Sequence, residues 1–344
     1  MLGQSKPRKG RRLLWITVLW LGVPLLLWWA LRSVPLQKIW ETLQGLALWQ
    51  IAALLLLNVA VMLTFSGRWW FILRGLGYST NYLTLAAYRL SAFGVSYFTP
   101  GPQFGGEPLQ VYAVTRNENV PGTTSAAAVA LDKLLEMVVN FAFIATGVVL
   151  TLQVWTRTAG LSIEALGVSL FLLMLPVGYL IATWRGMKPL TWILHHLPRR
   201  YRDREGMQRL ERSLAESESQ AGNLIRERPA SLIYALLISL VSWGGQMLEY
   251  WLSAHFLGLS LTPLQLVSIM TAAYAAFLSP LPGGLGALEA GQVWMLEALG
   301  LDPAVGLSIA LIIRARDVLF GVTGLSLAGM MLGDLRGILS RIFG

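Results

Sequence analysis

Six long apolar runs dominate the sequence: Leu13–Leu31, Leu48–Ser66, Thr123–Leu150, Ala165–Trp184, Ala230–Leu257 and Ala304–Leu332. Each reaches about the 20 residues that an α-helix needs to cross a hydrocarbon core. Inside a bilayer every backbone N–H and C=O must find its partner within the protein, so such runs are predicted to be helices. Charged residues make up only 13% of the 344 residues, about half their usual share in soluble domains. The deficit lies in the runs themselves, which a soluble core does not require.

Charge placement gives an orientation. Five Lys/Arg residues fall between Lys6 and Arg12 and ten between Arg185 and Arg228, while none lies between Gly258 and Pro303. Under the positive-inside rule both termini and the 185–229 segment face the cytoplasm, so the expectation is a multi-pass protein of a bacterial-type inner membrane. Trp28, Trp29, Trp49, Trp69, Trp70, Trp155 and Trp184 sit near run ends, as an aromatic belt does. Leu48–Ser66 is read as landing in the cytoplasm at Arg68, Trp69 and Trp70. Leu13–Leu31 is read as a retained first span, because it is long for a signal core and no small-x-small cleavage site follows. The net charge of +9 is thus carried by loops, and no nucleic-acid partner is expected. Arg199–Arg228, with eight arginines and six acids, is read as an amphipathic helix lying on the membrane surface.

Two further apolar segments, Leu83–Thr115 and Pro263–Leu299, are interrupted near their middles. Pro100, Gly101, Gly105 and Gly106 break the first; Pro282, Gly283 and Gly284 break the second. Proline removes a helical hydrogen bond and glycine permits a reversal, so each segment is read as a re-entrant hairpin of two half-helices. Unwound backbone at membrane depth needs a cavity or a packed interface. The two regions align without a gap at an offset of 182 residues, matching Pro100 to Pro282, Gly101 to Gly283, Glu107 to Glu289, Pro121 to Pro303 and Asp132 to Arg314. The expected fold class is all-α integral membrane, with six full spans and two broken-helix hairpins forming an inverted repeat. The first repeat occupies 1–150, with its hairpin at 83–115 and its last span at 123–150. The second occupies 165–334, with its hairpin at 263–299, its last span at 304–332 and a cytoplasmic insertion at 185–229. Transporters of this architecture bind substrate at the repeat interface.

A charge near the bilayer centre costs at least about 2.5–3.5 kcal/mol on insertion scales, which singles out Asp132, Lys133, Glu136, Arg314, Arg316 and Asp317. One reading is a polar pathway in which Arg314 or Arg316 holds an anionic group through its planar fork. The other is a structural ion-pair network of Lys133, Glu136 and Asp317 with their neighbours, including a pair between Asp132 and Arg314. Glu107 and Glu289 begin the second half-helix of each hairpin, where a carboxylate caps a helix start or lines a cavity. Arg89 is read as snorkelling to the cytoplasmic surface, and Glu249 with Gln246 as further buried polar groups. Gly329-Met330-Met331-Leu332-Gly333 is a small-xxx-small packing pattern.

The chain has no cysteine, and His195, His196 and His255 lack metal-ligand spacing, so neither metal nor cofactor is expected. Neither a Walker loop nor a nucleophile elbow is present.

Pro100–Glu107 followed by Ala126–Lys133, and Pro280–Glu289 followed by Arg314, resemble the lysylphosphatidylglycerol synthase transmembrane region, the flippase-like domain family. The Pro282–Glu289 run is the most specific part, and the resemblance extends over roughly Leu13 to Leu335. It implies movement of lipids between leaflets, aminoacylated phosphatidylglycerol among them, or a link to polyprenyl-phosphate sugar pathways. With its last residue at Gly344 the chain is expected to be a member without the soluble synthase domain, and Gln110 stands where a basic residue is common in relatives. The function expected is therefore a lipid translocase rather than an enzyme, with Glu107, Asp132, Glu289, Arg314 and Arg316 facing an anionic headgroup. The alternatives are a membrane-embedded transferase acting on a lipid phosphate and a non-catalytic partner of a glycosyltransferase. The partner expected is a membrane lipid; a homodimer and a link to lipid- or glycan-modifying enzymes stay open.

Overall fold

A computed structural model describes residues 36–99, 105–155, 163–196, 198, 205–276, 278, 284 and 286–343. Leu13–Leu31 and the turn residues Pro100, Gly101, Pro282 and Gly283 lie outside the described residues. The described residues form twelve α-helices and no strand. In chain order these are α1 (Leu36–Gln44), α2 (Leu48–Gly75), α3 (Tyr82–Phe98), α4 (Glu107–Asn117), α5 (Gly122–Trp155) and α6 (Ile163–Trp184). There follow α7 (Pro189–His195), α8 (Glu205–Glu227), α9 (Pro229–Phe256), α10 (Pro263–Ala276), α11 (Ala287–Ala298) and α12 (Pro303–Phe343).

Four of these helices contain stretches long and apolar enough to cross a membrane: Leu48–Gly75, Gly122–Thr151, Glu164–Trp184 and Pro229–Phe256. At 1.5 Å per residue the 28 residues of α2 reach roughly 42 Å. The helix therefore continues well beyond Ser66, and it ends only where Gly77 takes a φ of 94° and Tyr78 N–H donates to the Leu73 carbonyl at 3.0 Å. This corrects the landing expected at Arg68: Arg68 and Trp69 are buried inside the bundle. The 41 residues of α12 are long enough to cross, but Arg314, Arg316 and Asp317 interrupt the apolar sequence.

The paired helices α3 and α4 have 17 and 11 residues, and α10 and α11 have 14 and 12. None of the four reaches the roughly 30 Å of a hydrocarbon core. Asn81 starts α3 by accepting from the Leu83 and Thr84 amides, as an N-cap does. The turn into α4 uses Gly105 at a φ of 141°. A Cβ on Gly106 would lie 2.1 Å from the Ala92 carbonyl oxygen, so the chain closes there only on glycine.

Two apolar cores hold the helices. One joins Trp69, Ile72, Leu85, Val114 and Leu131 of α2–α5. The other joins Trp243, Ile269, Leu288, Met295 and Ile313 of α9–α12. Helix α3 packs against α12 and α10 against α5, while α2 packs along α9. The α2–α9 contact relies on small and hydroxyl side chains, with Ser242 Oγ donating to Thr64 Oγ1 at 2.8 Å.

The amphipathic helix expected in Arg199–Arg228 forms as α8, and one of its faces packs on protein. Ala221 and Leu224 of α8 belong to the first apolar core. Buried Glu218 accepts from Tyr179 Oη, Thr191 Oγ1 and the Leu190 and Thr191 amides at 2.6–3.1 Å. A carboxylate with four donors is satisfied without lipid. The helix packs closely there because Ser217, Ala221 and Gly222 are small, while Glu218 and Leu224 fill the space beside them.

Candidate functional site

Ion pairs form three groups inside the bundle. In the first, Arg68 of α2 donates from Nε to Asp132 Oδ1 at 2.6 Å and from Nη2 to Glu136 Oε2 at 2.8 Å. Arg89 of α3 reaches the same two carboxylates at 2.6 and 3.2 Å. Lys133 Nζ lies 2.9 Å from Glu136 Oε1 and 3.6 Å from Glu107 Oε1. Asp132 and Glu136 lie one helical turn apart, which aims both at the same guanidinium groups. Three cations thus face three carboxylates, the arrangement that makes buried charge tolerable.

In the second group Arg314 of α12 holds both oxygens of Glu289 at 3.0 Å. It also donates to the Gly284 carbonyl at 3.3 Å and to Tyr97 Oη at 3.4 Å. Glu289 in turn accepts from the Gly286 amide at 2.9 Å. One fully buried arginine of α12 therefore ties the start of α11 to α3.

In the third group Arg316 pairs with Glu249 of α9 and with Asp317, the latter from Nη2 at 2.8 Å. Asn58 of α2 joins them, accepting from Arg316 at 3.0 Å and donating to Glu249 Oε1 at 3.0 Å. Here one arginine serves two carboxylates.

Three cavities adjoin these groups. A central cavity of about 460 Å³ is lined by Asn58, Phe65, Phe93, Met137, Asn140, Gln246 and Tyr274 and by the charged side chains Arg89, Lys133, Glu136, Arg316 and Asp317. A neck of about 90 Å³ is lined by Arg89, Phe93, Tyr97, Glu107, Gln110, Asp132, Lys133 and Glu136. A groove of about 890 Å³ runs between α4 and α5 from Glu107 and Lys133 to Arg116 and Asn119. Its middle is apolar, with Pro108, Val111, Ala126 and Val129.

Of the residues singled out in the sequence, Lys133, Glu136, Arg316 and Asp317 line the central cavity, and Glu107 and Asp132 line the neck. Glu289 and Arg314 line none of the three cavities. Asp132 and Arg314 are not partners, since each is held by groups nearer to it. Arg89 does not snorkel: it is 9% exposed and bound to Asp132 and Glu136. Glu107 and Glu289 each accept from a turn amide, Gly105 N–H at 2.8 Å and Gly286 N–H at 2.9 Å, while also engaging a cation. Capping and ion pairing coexist. Arg68 escaped the sequence reading because Trp69 and Trp70 beside it mimic an interfacial belt; its clue is four-residue spacing of the acids on α5, which need more cations than Lys133 supplies. No group of three or more metal-ligating side chains suited to a metal ion occurs among the described residues.

Fold and site together define a multi-pass, all-helical membrane protein with paired charges inside its bundle. The chain belongs to the family described as the lysylphosphatidylglycerol synthase TM region, whose match spans residues 15–324. It is similar to a UPF0104 membrane protein of Pyrococcus horikoshii, 24% identical over 301 residues that cover 85% of this chain and 88% of the relative. A UPF0104 membrane protein of Methanothermobacter thermautotrophicus is 26% identical over 267 residues, covering 75% and 78%. No solved structure matches the chain.

Proposed function

We propose that this protein is a lipid translocase, a flippase or scramblase, of a bacterial-type inner membrane, with both termini in the cytoplasm. The observation that carries the proposal is the central cavity of about 460 Å³, where apolar walls meet charged groups from both halves of the chain. Such a surface suits an amphiphile, whose headgroup exchanges hydrogen bonds with Lys133, Glu136, Arg316 and Asp317 while its tails stay in apolar surroundings. The match to the lysylphosphatidylglycerol synthase TM region supports a lipid role. The substrate class proposed is a phospholipid, an aminoacylated phospholipid or a polyprenyl-phosphate-linked lipid.

In this reading the chain has six full spans and two re-entrant hairpins arranged as an inverted repeat. The supporting facts are the short helix pairs α3–α4 and α10–α11 and their reciprocal packing on α12 and α5. Glu107 and Asp132 tune the neck. Glu289 and Arg314 act as positioning residues that fix the second hairpin, because Arg314 is fully buried and spends its donors on protein acceptors.

The test is leaflet exchange in proteoliposomes, using fluorescent phospholipids and a membrane-impermeant quencher. Asn140 lines the central cavity without belonging to an ion pair. Filling its place by Asn140→Trp is expected to slow protein-dependent exchange about tenfold or more, since close-packed walls yield little. Asn140→Ala, which keeps the space, is expected to retain exchange. Equal exchange by both folded variants sinks the assignment of this cavity as the path.

A further inference from the structure

Lys133 lines all three cavities: the outer groove, the neck and the central cavity. Glu107 lines the groove and the neck and is the partner of Lys133 from the opposite wall, α4 against α5. Their contact therefore stands where the groove meets the neck. At 3.6 Å it is the longest ion pair in its cluster, against 2.6–3.2 Å for the others. Both side chains keep about a fifth to a quarter of their exposure, which makes the contact cheap to exchange. The remaining carboxylate and guanidinium groups of the cluster are held by two or more partners and form a fixed frame.

The groove has its own polarity. Its charged lining residues are Arg116, exposed at the outer end, and Lys133 and Glu107 at the inner end. Cations outnumber acids there, whereas the neck behind it is lined by Arg89 and Lys133 against Glu107, Asp132 and Glu136. An anionic headgroup is thus favoured in the groove, between apolar side chains suited to its tails. At its inner end a phosphate can replace Glu107 on Lys133 in a one-for-one exchange of anions.

We infer that the α4–α5 groove is the docking site of an anionic phospholipid and that the Glu107–Lys133 pair is the gate its phosphate opens toward the neck. This rests on the lipid-translocase reading, whose path it extends to the bilayer. Glu107 is the first residue of α4, and its carboxylate engages Lys133 and the Gly105 amide but no member of the Arg68–Asp132–Arg89 frame, so rotation of its side chain leaves that frame in place.

The native absence of cysteine makes single-cysteine reporters clean. Val129 is 4% exposed and lines both groove and neck, while its neighbour Ala130 is exposed in the groove. Maleimide labelling is followed on the full chain in phosphatidylcholine nanodiscs at Val129→Cys, at Ala130→Cys and at Ala310→Cys, a position buried in the second apolar core and lining none of the three cavities. Glu107→Gln keeps an acceptor for the Gly105 amide but loses its charge, and Lys133→Gln breaks the pair from the other side. Both are expected to speed labelling at Val129→Cys about three- to fivefold, the scale of one partly exposed ion pair, with Ala130→Cys and Ala310→Cys unchanged. Phosphatidylglycerol added to the discs is expected to give the same rise without either substitution, and Arg116→Gln to suppress it.

Unchanged labelling at Val129→Cys in both gate variants overturns the gate, and so does a rise shared by Ala310→Cys, which marks general loosening. A response to soluble glycerol phosphate equal to that of phosphatidylglycerol overturns the lipid as the occupant. The readout does not involve transport, so a protein that fails in leaflet exchange can still show the gate, and the two proposals fail separately.

Discussion

Arg68→Ala is expected to lower the stability of the folded protein by about 3–5 kcal/mol, the cost of removing one partner of a buried ion pair. Arg68 is 2% exposed and supplies two hydrogen bonds to Asp132 and one to Glu136. Without it, Arg89 and Lys133 face Glu107, Asp132 and Glu136, leaving one carboxylate in excess where water is scarce. The double variant Arg68→Met with Asp132→Leu removes one charge of each sign. Arg89 then keeps Glu136, and Lys133 keeps Glu107 and Glu136. That variant is expected to recover most of the loss, because replacing a whole buried pair by apolar groups is often close to neutral. Denaturant titration in detergent, followed by the fluorescence of the 14 tryptophans, measures both. A single variant as stable as the native protein shows that Arg89 alone satisfies Asp132. A double variant no better than the single one shows that the cluster contributes through its geometry and not its charge balance.

The same cluster shows which parts of the molecule can be read from sequence. The broken pairs α3–α4 and α10–α11 were legible because proline and glycine act on the backbone locally, whatever packs around them. The buried acids of α5 were legible because a charge in an apolar run has no other explanation than a partner or a pathway. The partners themselves were not. Arg68 lies at a run's end beside two tryptophans, a pattern shared by interfacial anchors, and only the continuation of α2 to Gly75 puts it inside. Arg89 has the long aliphatic stem of a snorkelling residue, and its burial depends on α3 standing against α5. The alignment that set Asp132 against Arg314 compared equivalent places in two halves of the chain. Equivalent places need not touch, and here each residue is bound to the acids or bases of its own neighbourhood. Likewise the buried side of α8 mixes small Ser217, Ala221 and Gly222 with Glu218 and Leu224, and its contribution appears only when a surface is brought to it.

Glycine in α12 gives the second large expectation. A Cβ at Gly324 would lie 2.0 Å from the Leu90 carbonyl oxygen, and one at Gly94 would lie 2.5 Å from the Leu325 amide nitrogen. These atoms are backbone and have no rotamer by which to move aside. Gly324→Ala must therefore push α3 away from α12, at an overpacking cost of about 1–3 kcal/mol. The displacement also reaches Arg89 and Tyr97, which α3 holds against Asp132 and Arg314, so the upper end of that range is expected. Gly329 supplies the contrast on the same helix. The sequence pattern Gly329–Gly333 suggests packing there, yet a Cβ at Gly329 meets nothing within 4 Å. Gly329→Ala should be neutral or gain up to about 1 kcal/mol from helix propensity. Thermal unfolding of the two alanine variants in one detergent separates them. If Gly324→Ala melts with Gly329→Ala, α3 and α12 do not cross this closely, and the brace from Tyr97 to Arg314 loses its support. If they separate, a crossing built on absent side chains sets where α3 stands, and with it the position of Arg89 at the cavity.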